Sequence, residues 1–462
     1  MAHKEKPLKA LFICDEKEEW NLLRNIFHAH FSKMELVCVL KGEDALNTLT
    51  FDGPFGMIIL ECGIKSDNPT ELAESIFDQT GPRPLLFVGT PTMVKDRVKE
   101  AFFNEHEMVT IYNKPYQAEG LVSSIQDAIE WAKQEEFESN IVELEPDNFL
   151  PLKLRNFYLY DSVPFDVYVE LTKTKFIKAI AANKKYTQSN IQDFQKRNIK
   201  YLYLEKNEHL NFLENSIKKI SMALAQSSGD FKKKSQTMVA GVLVLHQYLR
   251  DVGISESVKE LTDRIIKAMS DVAEYHTSIE DLILTFPMEH GDLAEQAVLK
   301  GTLGMYITKA MGWRSDLTNN KIGLAAILHD AFLEREEWST ITYEDHPDLD
   351  YLSPEQKEAF LFHPKRAAEM ANQFSHLAEV DFIILEHHEL PDGNGFPRGI
   401  NASKITKISA LFILVNNYII QLVINGLTSS SLKNISLAFA TIYNVGSFKE
   451  PFQTLQKDLK RR

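Results

Sequence analysis

Short apolar runs alternate with segments of helical periodicity along residues 8–130. Five runs rich in Ile, Leu, Val and Phe have the length of strands, and they span 9–14, 34–40, 57–60, 85–88 and 109–112. This alternation predicts a doubly wound parallel sheet with helices on both faces. A helix after Pro115 is predicted to run past Trp131 into an acidic linker.

The hydrophobic pattern changes twice after this linker. The segments VPFDVYVELTKTKFIKAI and RNIKYLYLEKN predict strands around 165–181 and 199–204. From about residue 213 the pattern is helical to the end. We therefore predict a multidomain chain with an α/β doubly wound domain (1–130), a linker (131–149), a small α+β module (150–212), a helical connector (213–289) and an all-α bundle (290–462).

Charged residues follow three predicted strands of the first domain. Asp15 and Glu16 end the first strand, Glu61 ends the third, and Lys114 follows the fifth. The carboxyl ends of parallel strands meet at one edge of the sheet, so these side chains are expected to share a crevice. An acidic pair, a third acid and a lysine suit a magnesium-assisted phosphoryl acceptor.

This pattern resembles two-component receiver domains over roughly the first 125 residues. The resemblance implies that the acidic pair holds magnesium, that Lys114 senses a phosphate, and that Glu61 stands at the acceptor position. Glutamate places its carboxylate one methylene further out, so we do not expect regulated phosphorylation. Two readings of Glu61 stay open: a permanent negative charge in place of a phosphoryl group, or a solvated acid at a strand end.

Histidines and an aspartate concentrate in three helical segments. AAILHDAF contains His329 and Asp330, FLFHPKRAAEM contains His363, and IILEHHEL contains His387 and His388. A single histidine in an apolar helix is usually a core group or a cap. Five such residues in this order favour a site for iron, manganese or zinc.

A loop rich in glycine follows the paired histidines. Its notable residues are Asp392, Gly393, Gly395, Phe396 and Pro397, in HHELPDGNGFP. Residues 290–425 thereby resemble the HD-GYP family of metal-dependent phosphodiesterases that hydrolyse cyclic di-GMP, with phenylalanine in place of the motif's tyrosine. The resemblance implies that this loop contacts diguanylate-cyclase (GGDEF) domains, and that cyclic di-GMP is a ligand.

The chain departs from the HD-GYP pattern at three further positions. The first histidine ligand aligns with Gln296, the last aspartate ligand with Asn416, and the phosphate-contacting lysine with Leu333. One ligand set implied by the family is complete, and it comprises Asp330, His363, His387 and His388. The other retains only His329 and Asp330 beside neutral amides, which are poorer ligands for a transition metal. The resemblance therefore implies one divalent ion of Fe, Mn or Zn and no second ion.

The bulk composition limits partners and location. A formal net charge of −14 argues against DNA, RNA or an anionic membrane as partner. No secretory signal is recognised, the run 408–424 is predicted to be a buried helix, and the three cysteines are predicted to be buried free thiols. A cytoplasmic protein is expected. The helices of 213–285 could pair two chains as a homodimer or form core within one.

Three functions remain open from the sequence. The first is a degenerate HD-GYP signalling protein that acts by binding proteins or nucleotides, with at most weak hydrolysis. The second is a working cyclic di-GMP phosphodiesterase with a rearranged metal site, in which His329 and Asp330 would be catalytic. The third is a metal-free scaffold whose histidines only stabilise the bundle.

Overall fold

The structure is a computed structural model that describes residues 9–52, 55–134, 141–143, 148–172, 175–226, 230–313, 315–344, 346–374 and 377–460. The chain divides into two compact units, Met1–His209 and Leu210–Arg462. Much of the predicted acidic linker, at 135–140 and 144–147, lies outside the described residues.

The first unit begins with a five-stranded parallel sheet. Its strands are β1 (Lys9–Ile13), β2 (Glu35–Val39), β3 (Phe55–Glu61), β4 (Leu85–Gly89) and β5 (Val109–Asn113), in the order β2-β1-β3-β4-β5. The helices between and after them are α1 (Lys17–His30), α2 (Gly42–Phe51), α3 (Pro69–Thr80), α4 (Pro91–Arg97), α5 (Glu100–Glu105) and α6 (Ala118–Gln134). All four strand pairings are parallel, as the sequence pattern predicts.

Both faces of this sheet are covered. Every residue of β3 is buried, because a central strand of a parallel sheet packs helices on each side. One hydrophobic cluster joins the sheet to α2 and α3, and a second joins its opposite face to α1 and α6. The predicted doubly wound architecture is confirmed.

A second, antiparallel sheet follows in the same unit. Its strands are β6 (Ile141–Glu143), β7 (Phe149–Lys153), β8 (Val167–Thr172), β9 (Lys175–Ile180) and β10 (Tyr201–Glu205), in the order β6-β9-β8-β10-β7. A 3₁₀ helix at Leu154–Leu159 and α7 (Gln188–Lys196) complete this module. The predicted strand at 165–181 is a hairpin of β8 and β9, whereas β6 and β7 were not predicted.

The second unit is helical throughout its described residues. Its helices are α8 (Lys206–Gln226), which begins just before the unit boundary, α9 (Phe231–Asp251), α10 (Glu256–Tyr275), α11 (Ile279–Thr285), α12 (Leu293–Ala310), α13 (Asp316–Leu328), α14 (Pro354–Ala371), α15 (Val380–Leu385), α16 (Lys407–Asn425), α17 (Ser429–Phe439) and α18 (Lys449–Leu459). The multidomain fold class predicted from the sequence is confirmed.

Helix α12 lies in the centre of this bundle, with every residue from Leu293 to Thr308 buried. Two of its glycines permit close packing. A Cβ atom on Gly301 would come within 2.6 Å of the Met269 sulfur on α10, and one on Gly304 within 2.7 Å of Ile322 on α13. This close approach brings side chains of α12 to the carboxyl end of α13, where the candidate site lies.

Helix α16 corresponds to the apolar run of the sequence. It is the one helix in the described part of the chain that is long and apolar enough to cross a membrane, with a mean hydropathy of 1.7. However, 72% of that apolar window is buried inside the bundle, and Asn417 donates to the Tyr443 hydroxyl at 2.7 Å. These are the properties of a core helix, as predicted.

Candidate metal centre

Four predicted ligands lie close together in the interior of the second unit. Asp330 follows α13, His363 lies within α14, and His387 and His388 follow α15. Each offers one ligand atom, and these atoms all lie within 4.8 Å of one another. All four side chains are buried. The bundle therefore brings together the complete ligand set that the sequence predicts.

Backbone contacts orient two of these rings. The Nδ1 atoms of His363 and His387 lie 2.5 and 2.6 Å from the carbonyl oxygens of Phe360 and Ile384. A carbonyl accepts only, so this network assigns the proton of each neutral ring to Nδ1 and leaves a lone pair on Nε2. Metal-binding histidines commonly have this arrangement.

The resulting lone pairs point at one another and at a carboxylate. The two Nε2 atoms of His363 and His387 are 3.3 Å apart, and they lie 3.4 and 3.5 Å from Oδ1 of Asp330. Three acceptors at these distances repel each other unless a proton or a cation lies among them. A divalent ion with imidazole and carboxylate ligands fits this need.

His388 supplies a second indication that this site can bind a metal. Both of its ring nitrogens are buried, and neither has a hydrogen-bond partner in the described part of the chain. Its ring stacks on Phe396 with a centroid distance of 4.4 Å and an interplanar angle of 15°. A buried imidazole normally satisfies its nitrogens, so an unpartnered ring beside other ligands favours metal coordination.

The electrostatics of the site suit metal binding at neutral pH. Burial lowers the pKa of His387 to about 4 and that of His388 well below its usual range. Burial alone would raise the pKa of Asp330, but its attraction to His329 and Lys300 outweighs this effect and holds that pKa well below normal. Unprotonated imidazoles and an ionised carboxylate are the forms that coordinate metals.

The other half of the site contains a residue that the sequence analysis missed. The fully buried Lys300 of α12 places its Nζ 3.1 Å from Nε2 of His329 and 3.6 Å from Oδ2 of Asp330. His329 contacts the Ala326 carbonyl through Nδ1 at 3.0 Å, so its Nε2 is free to accept from the lysine. His329 is thus adjacent to the four-ligand group but faces Lys300.

The two amide residues at the ligand positions that are predicted to be degraded are also buried. Gln296 donates from Nε2 to the Gly291 carbonyl at 2.9 Å and to the Ser339 hydroxyl at 3.1 Å. Asn416 donates weakly to the His387 carbonyl at 3.5 Å. Among the described residues, neither amide oxygen has a partner. Both side chains are uncharged, as the sequence indicates.

The glycine-rich loop folds back onto this site. Phe396 is buried against His388 and Phe360, so its ring lines the interior rather than the surface. The buried carboxylate of Glu389 accepts from the backbone N–H groups of Arg398 and Ile400 at 2.7 and 2.9 Å. This carboxylate holds the loop in place.

Close packing dictates the glycine at position 395. A Cβ atom there would come within 2.4 Å of the Glu389 Cα and the His388 carbonyl oxygen. Gly393 has a φ of +88°, a left-handed conformation that favours glycine. Asp392 and Pro397 are exposed on the outer side of the loop. The loop therefore has a fixed inner side and a polar outer side.

Leu333 is the residue that the sequence analysis aligns with the phosphate-contacting lysine of the motif. It is buried in a hydrophobic cluster with Trp338, Phe360 and Phe396. A lysine at this position would have to bury its ammonium group among apolar side chains, which is costly without a partner. The position that carries a lysine in the motif is hydrophobic core in this chain.

The receiver-like crevice is closed by an ion-pair network. Lys114 contacts Glu61 at 3.0 Å and also pairs with Glu19 of α1, which accepts from the Tyr116 hydroxyl at 2.8 Å. The carboxylate of Asp15 accepts from the Lys65 N–H at 3.2 Å. Of the predicted residues, Asp15, Glu61 and Lys114 lie in this crevice, whereas Glu16 does not join them and Glu19 was not anticipated.

A candidate cation group also lies in this crevice. Cys14, Asp15 and Glu61 offer ligand atoms within 4.8 Å of one another, whereas Glu16 is exposed and is not part of this group. Burial raises the pKa of Glu61 despite the opposing hydrogen bond from Lys114. Burial would lower the pKa of Lys114, but its two carboxylate partners raise it overall. One lysine shared by two acids compensates each acid only in part.

One of the missed residues has a partial signal in the sequence. Lys300 lies four residues after Gln296 within the apolar helix sequence LAEQAVLKGTLGMYI, so both face the same side of the helix. Glu19 has no such signal, because it lies in the first turn of α1 whereas Asp15 precedes that helix. A charged residue one helical turn from a predicted ligand is the feature that could have drawn attention to Lys300.

Comparisons with known proteins agree with parts of this picture. Residues 301–418 match the HD domain family, a range that contains all five predicted ligand residues and Asn416 but not Gln296. No curated protein matches the chain. Among solved structures, the chain is similar to Bd1817, an HDG"Y"P protein from Bdellovibrio bacteriovorus, with 16% identity, a TM-score of 0.48, and coverage of 68% of this chain and 99% of that one.

A second similar structure is the chemotaxis response regulator CheY4 of Vibrio cholerae. The identity is 17%, the TM-score is 0.23, and the match covers 26% of this chain and 98% of that chain. The predicted HD domain is confirmed by the family match, and the predicted receiver-like architecture by the β2-β1-β3-β4-β5 sheet with helices on both faces. That the site is degenerate stays a prediction.

Proposed function

We propose that this chain is a cytoplasmic signalling protein of the HD-GYP type, linked to cyclic di-GMP, that holds one divalent transition metal and acts mainly by binding. The observation that carries the proposal is the buried group of Asp330, His363, His387 and His388, whose lone pairs converge on one another. An acidic chain of this kind would act through proteins or nucleotides rather than through DNA, RNA or a membrane.

The residues present fit one ion of iron, manganese or zinc. The two backbone-anchored rings and the unpartnered His388 present nitrogen ligands, and Asp330 adds a carboxylate oxygen. Such an ion supplies Lewis acidity and a fixed positive charge for a phosphate group. The protein itself excludes water from the ligands and holds their orientation through buried backbone contacts.

Weak hydrolysis follows from the rest of the site. Gln296 and Asn416 contribute no charge, and Leu333 replaces a group that would meet the substrate phosphate. Each lost electrostatic contact to a transition state costs about 3–4 kcal/mol, or two to three orders of magnitude in rate. Substrate binding does not depend on contacts that form only in the transition state, so a binding role remains where turnover is largely lost.

The outer side of the glycine-rich loop is the proposed partner surface. Asp392, Asn394, Pro397 and Arg398 are exposed there, while Phe396 is turned inward. We propose a protein partner such as a GGDEF domain on this surface, and a cyclic dinucleotide near the metal. The rigid inner side of the loop presents the outer residues in one conformation, which lowers the entropic cost of binding.

The experiment combines metal analysis, nucleotide binding and turnover on one anaerobically purified sample. We expect about one ion per chain, cyclic di-GMP binding, and little or no hydrolysis in manganese or iron. His387→Ala should lose the ion, whereas the control His290→Ala should retain it, because His290 is partly exposed and lies beside Glu289. Retention of the ion by His387→Ala would contradict the proposed site.

A second candidate is an active cyclic di-GMP phosphodiesterase with a rearranged metal site. It is favoured by the survival of His329 beside the complete four-ligand group. Two tightly bound ions and multiple turnovers would establish it and exclude the binding role. A metal-free scaffold, the third candidate, predicts no ion and no change on replacing His387 and His388.

For the receiver-like region we propose constitutive signalling without phosphorylation. Glu61 is already paired with Lys114, and its carboxylate lies beside that of Asp15, so the two acids offer oxygen ligands of the kind that magnesium prefers. Incubation with acetyl phosphate and magnesium should leave the protein unmodified. A phosphoryl adduct that disappears in Glu61→Gln would refute this interpretation.

A further inference from the structure

We propose that the side chain of Lys300 is a built-in cation that takes the place of a second metal ion, so that the site accepts one ion only. This inference deepens the proposed function and rests on its single-metal site. It concerns the Oδ2 side of Asp330, where that carboxylate faces His329, a residue outside the four-ligand group.

The geometry around Lys300 resembles a coordination site filled by an ammonium group. Its Nζ is a donor that faces two acceptors, Nε2 of His329 at 3.1 Å and Oδ2 of Asp330 at 3.6 Å. Those two acceptors are only 3.1 Å apart. Without a positive charge between them, the imidazole lone pair and the carboxylate would repel each other.

The packing of α12 restricts the position of the Lys300 side chain. Lys300 is fully buried on α12, and the preceding turn is anchored because Gln296 donates to Gly291 and Ser339. The following residue, Gly301, packs directly against Met269 of α10. A lysine held on both sides in this manner cannot move its ammonium group to solvent without disturbing the helix packing.

The two cations of the site would then share one carboxylate. Oδ1 of Asp330 faces the ring nitrogens of His363 and His387, whereas Oδ2 faces Lys300. A second dication on the Oδ2 side would lie next to the ammonium group, and their repulsion in a buried site is severe. Lysine therefore excludes the second ion by charge as well as by volume.

Ligand restoration separates this effect from the loss of ligands at Gln296 and Asn416. The variant Gln296→His/Asn416→Asp restores the family's ligand types and keeps Lys300, and a triple variant adds Lys300→Ala. A matched control adds Lys309→Ala instead, which removes a lysine of the same helix that pairs with Glu274 at the surface. Manganese content is measured after anaerobic purification, together with the electron paramagnetic resonance signature of a coupled manganese pair.

We expect the double variant and its Lys309→Ala control to hold one ion fewer than the triple variant, and the coupled-pair signal only in the triple variant. A coupled pair in the presence of Lys300, or an unchanged ion count on its removal, would overturn the proposal. Should the triple variant fail to fold, Lys300→Met in the same background preserves the volume of the side chain. A failure of the proposed single-metal site gives a different result, because wild type and His387→Ala would then hold equal amounts of metal. The comparison of variants with and without Lys300 still reports the effect of the lysine in that case.

A second measurement addresses the cation role without metal. Metal-free Lys300→Met should unfold about 10 °C below wild type, because His329 and Asp330 lose the charge between them. Added manganese should recover part of this loss in the variant. A Tm equal to that of Lys309→Met, or no recovery with manganese, would count against a built-in cation.

Discussion

The carboxylate of Glu389 is predicted to hold the glycine-rich loop over the metal site. It is fully buried and accepts from the N–H groups of Arg398 and Ile400 at 2.7 and 2.9 Å. Replacement by alanine leaves both donors without an acceptor and opens a cavity beneath the loop. The change therefore tests whether one side chain determines the loop conformation.

The expected loss can be estimated from these two contacts. A hydrogen bond to a charged group contributes about 1.5–3 kcal/mol, so two contribute about 3–6 kcal/mol. Burial of the carboxylate opposes this gain, since it raises the pKa of Glu389 above its usual value. We therefore expect Glu389→Ala to lose about 3 kcal/mol, which lowers the Tm of a unit of this size by about 6–12 °C.

The assay pairs thermal unfolding with hydrogen exchange of the loop amides. The N–H groups of Arg398 and Ile400 should exchange faster in Glu389→Ala, and manganese affinity should fall by about 10-fold or more because His388 loses the support of Phe396. Asp392→Asn is the matched control, since its carboxylate also accepts hydrogen bonds in this loop but is exposed. A Glu389→Ala protein that matches this control in Tm and exchange would refute the reasoning.

Three further predictions concern other parts of the chain. Lys114→Met should lower the free energy of unfolding by about 3 kcal/mol at pH 7, because Glu61 and Glu19 lose their shared lysine. The loss measured by urea unfolding should be smaller near pH 4, since the raised pKa of Glu61 lets its carboxylate take up a proton there. Burial raises the pKa of Cys62 to about 12, so its thiol should resist an aromatic disulfide reagent until the protein unfolds. Phe396→Ala should lose about 3–5 kcal/mol and weaken metal binding, whereas the half-exposed Phe362→Ala should do neither.

The fold of the first domain could be predicted because its inner strands, β1, β3 and β4, are buried on both faces. Such strands are continuous apolar runs, as in GMIILE of β3, and they stand out from the amphipathic helices. Strand β7 was not predicted because it is at the edge of its sheet, contains Pro151 and has an interrupted apolar pattern. Strand β6 is too short for a periodic signal to develop.

The candidate metal centre was predictable where its residues are adjacent in sequence. The adjacent pairs at 329–330 and 387–388 are recognisable in the sequence. The rings of His329 and His387 are oriented by carbonyl groups of the helices that precede them. Lys300 has no such neighbour, and its spacing from Gln296 indicates only that the two share one face of α12. Its place beside His329 depends on how closely α12 packs against α10 and α13, which is a tertiary property that helical periodicity does not encode.

Charge balance links the predicted ligands to the predicted departures from the motif. In the described site the carboxylate of Asp330 is the acid that contacts the histidine rings, and Lys300 already offsets its charge on one side. One dication surrounded by neutral imidazoles can still share the other oxygen. A second dication would need a further negative ligand, yet Asn416 carries none, and it would meet the ammonium group directly. Lys300 and Asn416 therefore fit a site with one metal ion, because the lysine supplies the second positive charge and the neutral amide adds no negative charge that would need a second ion.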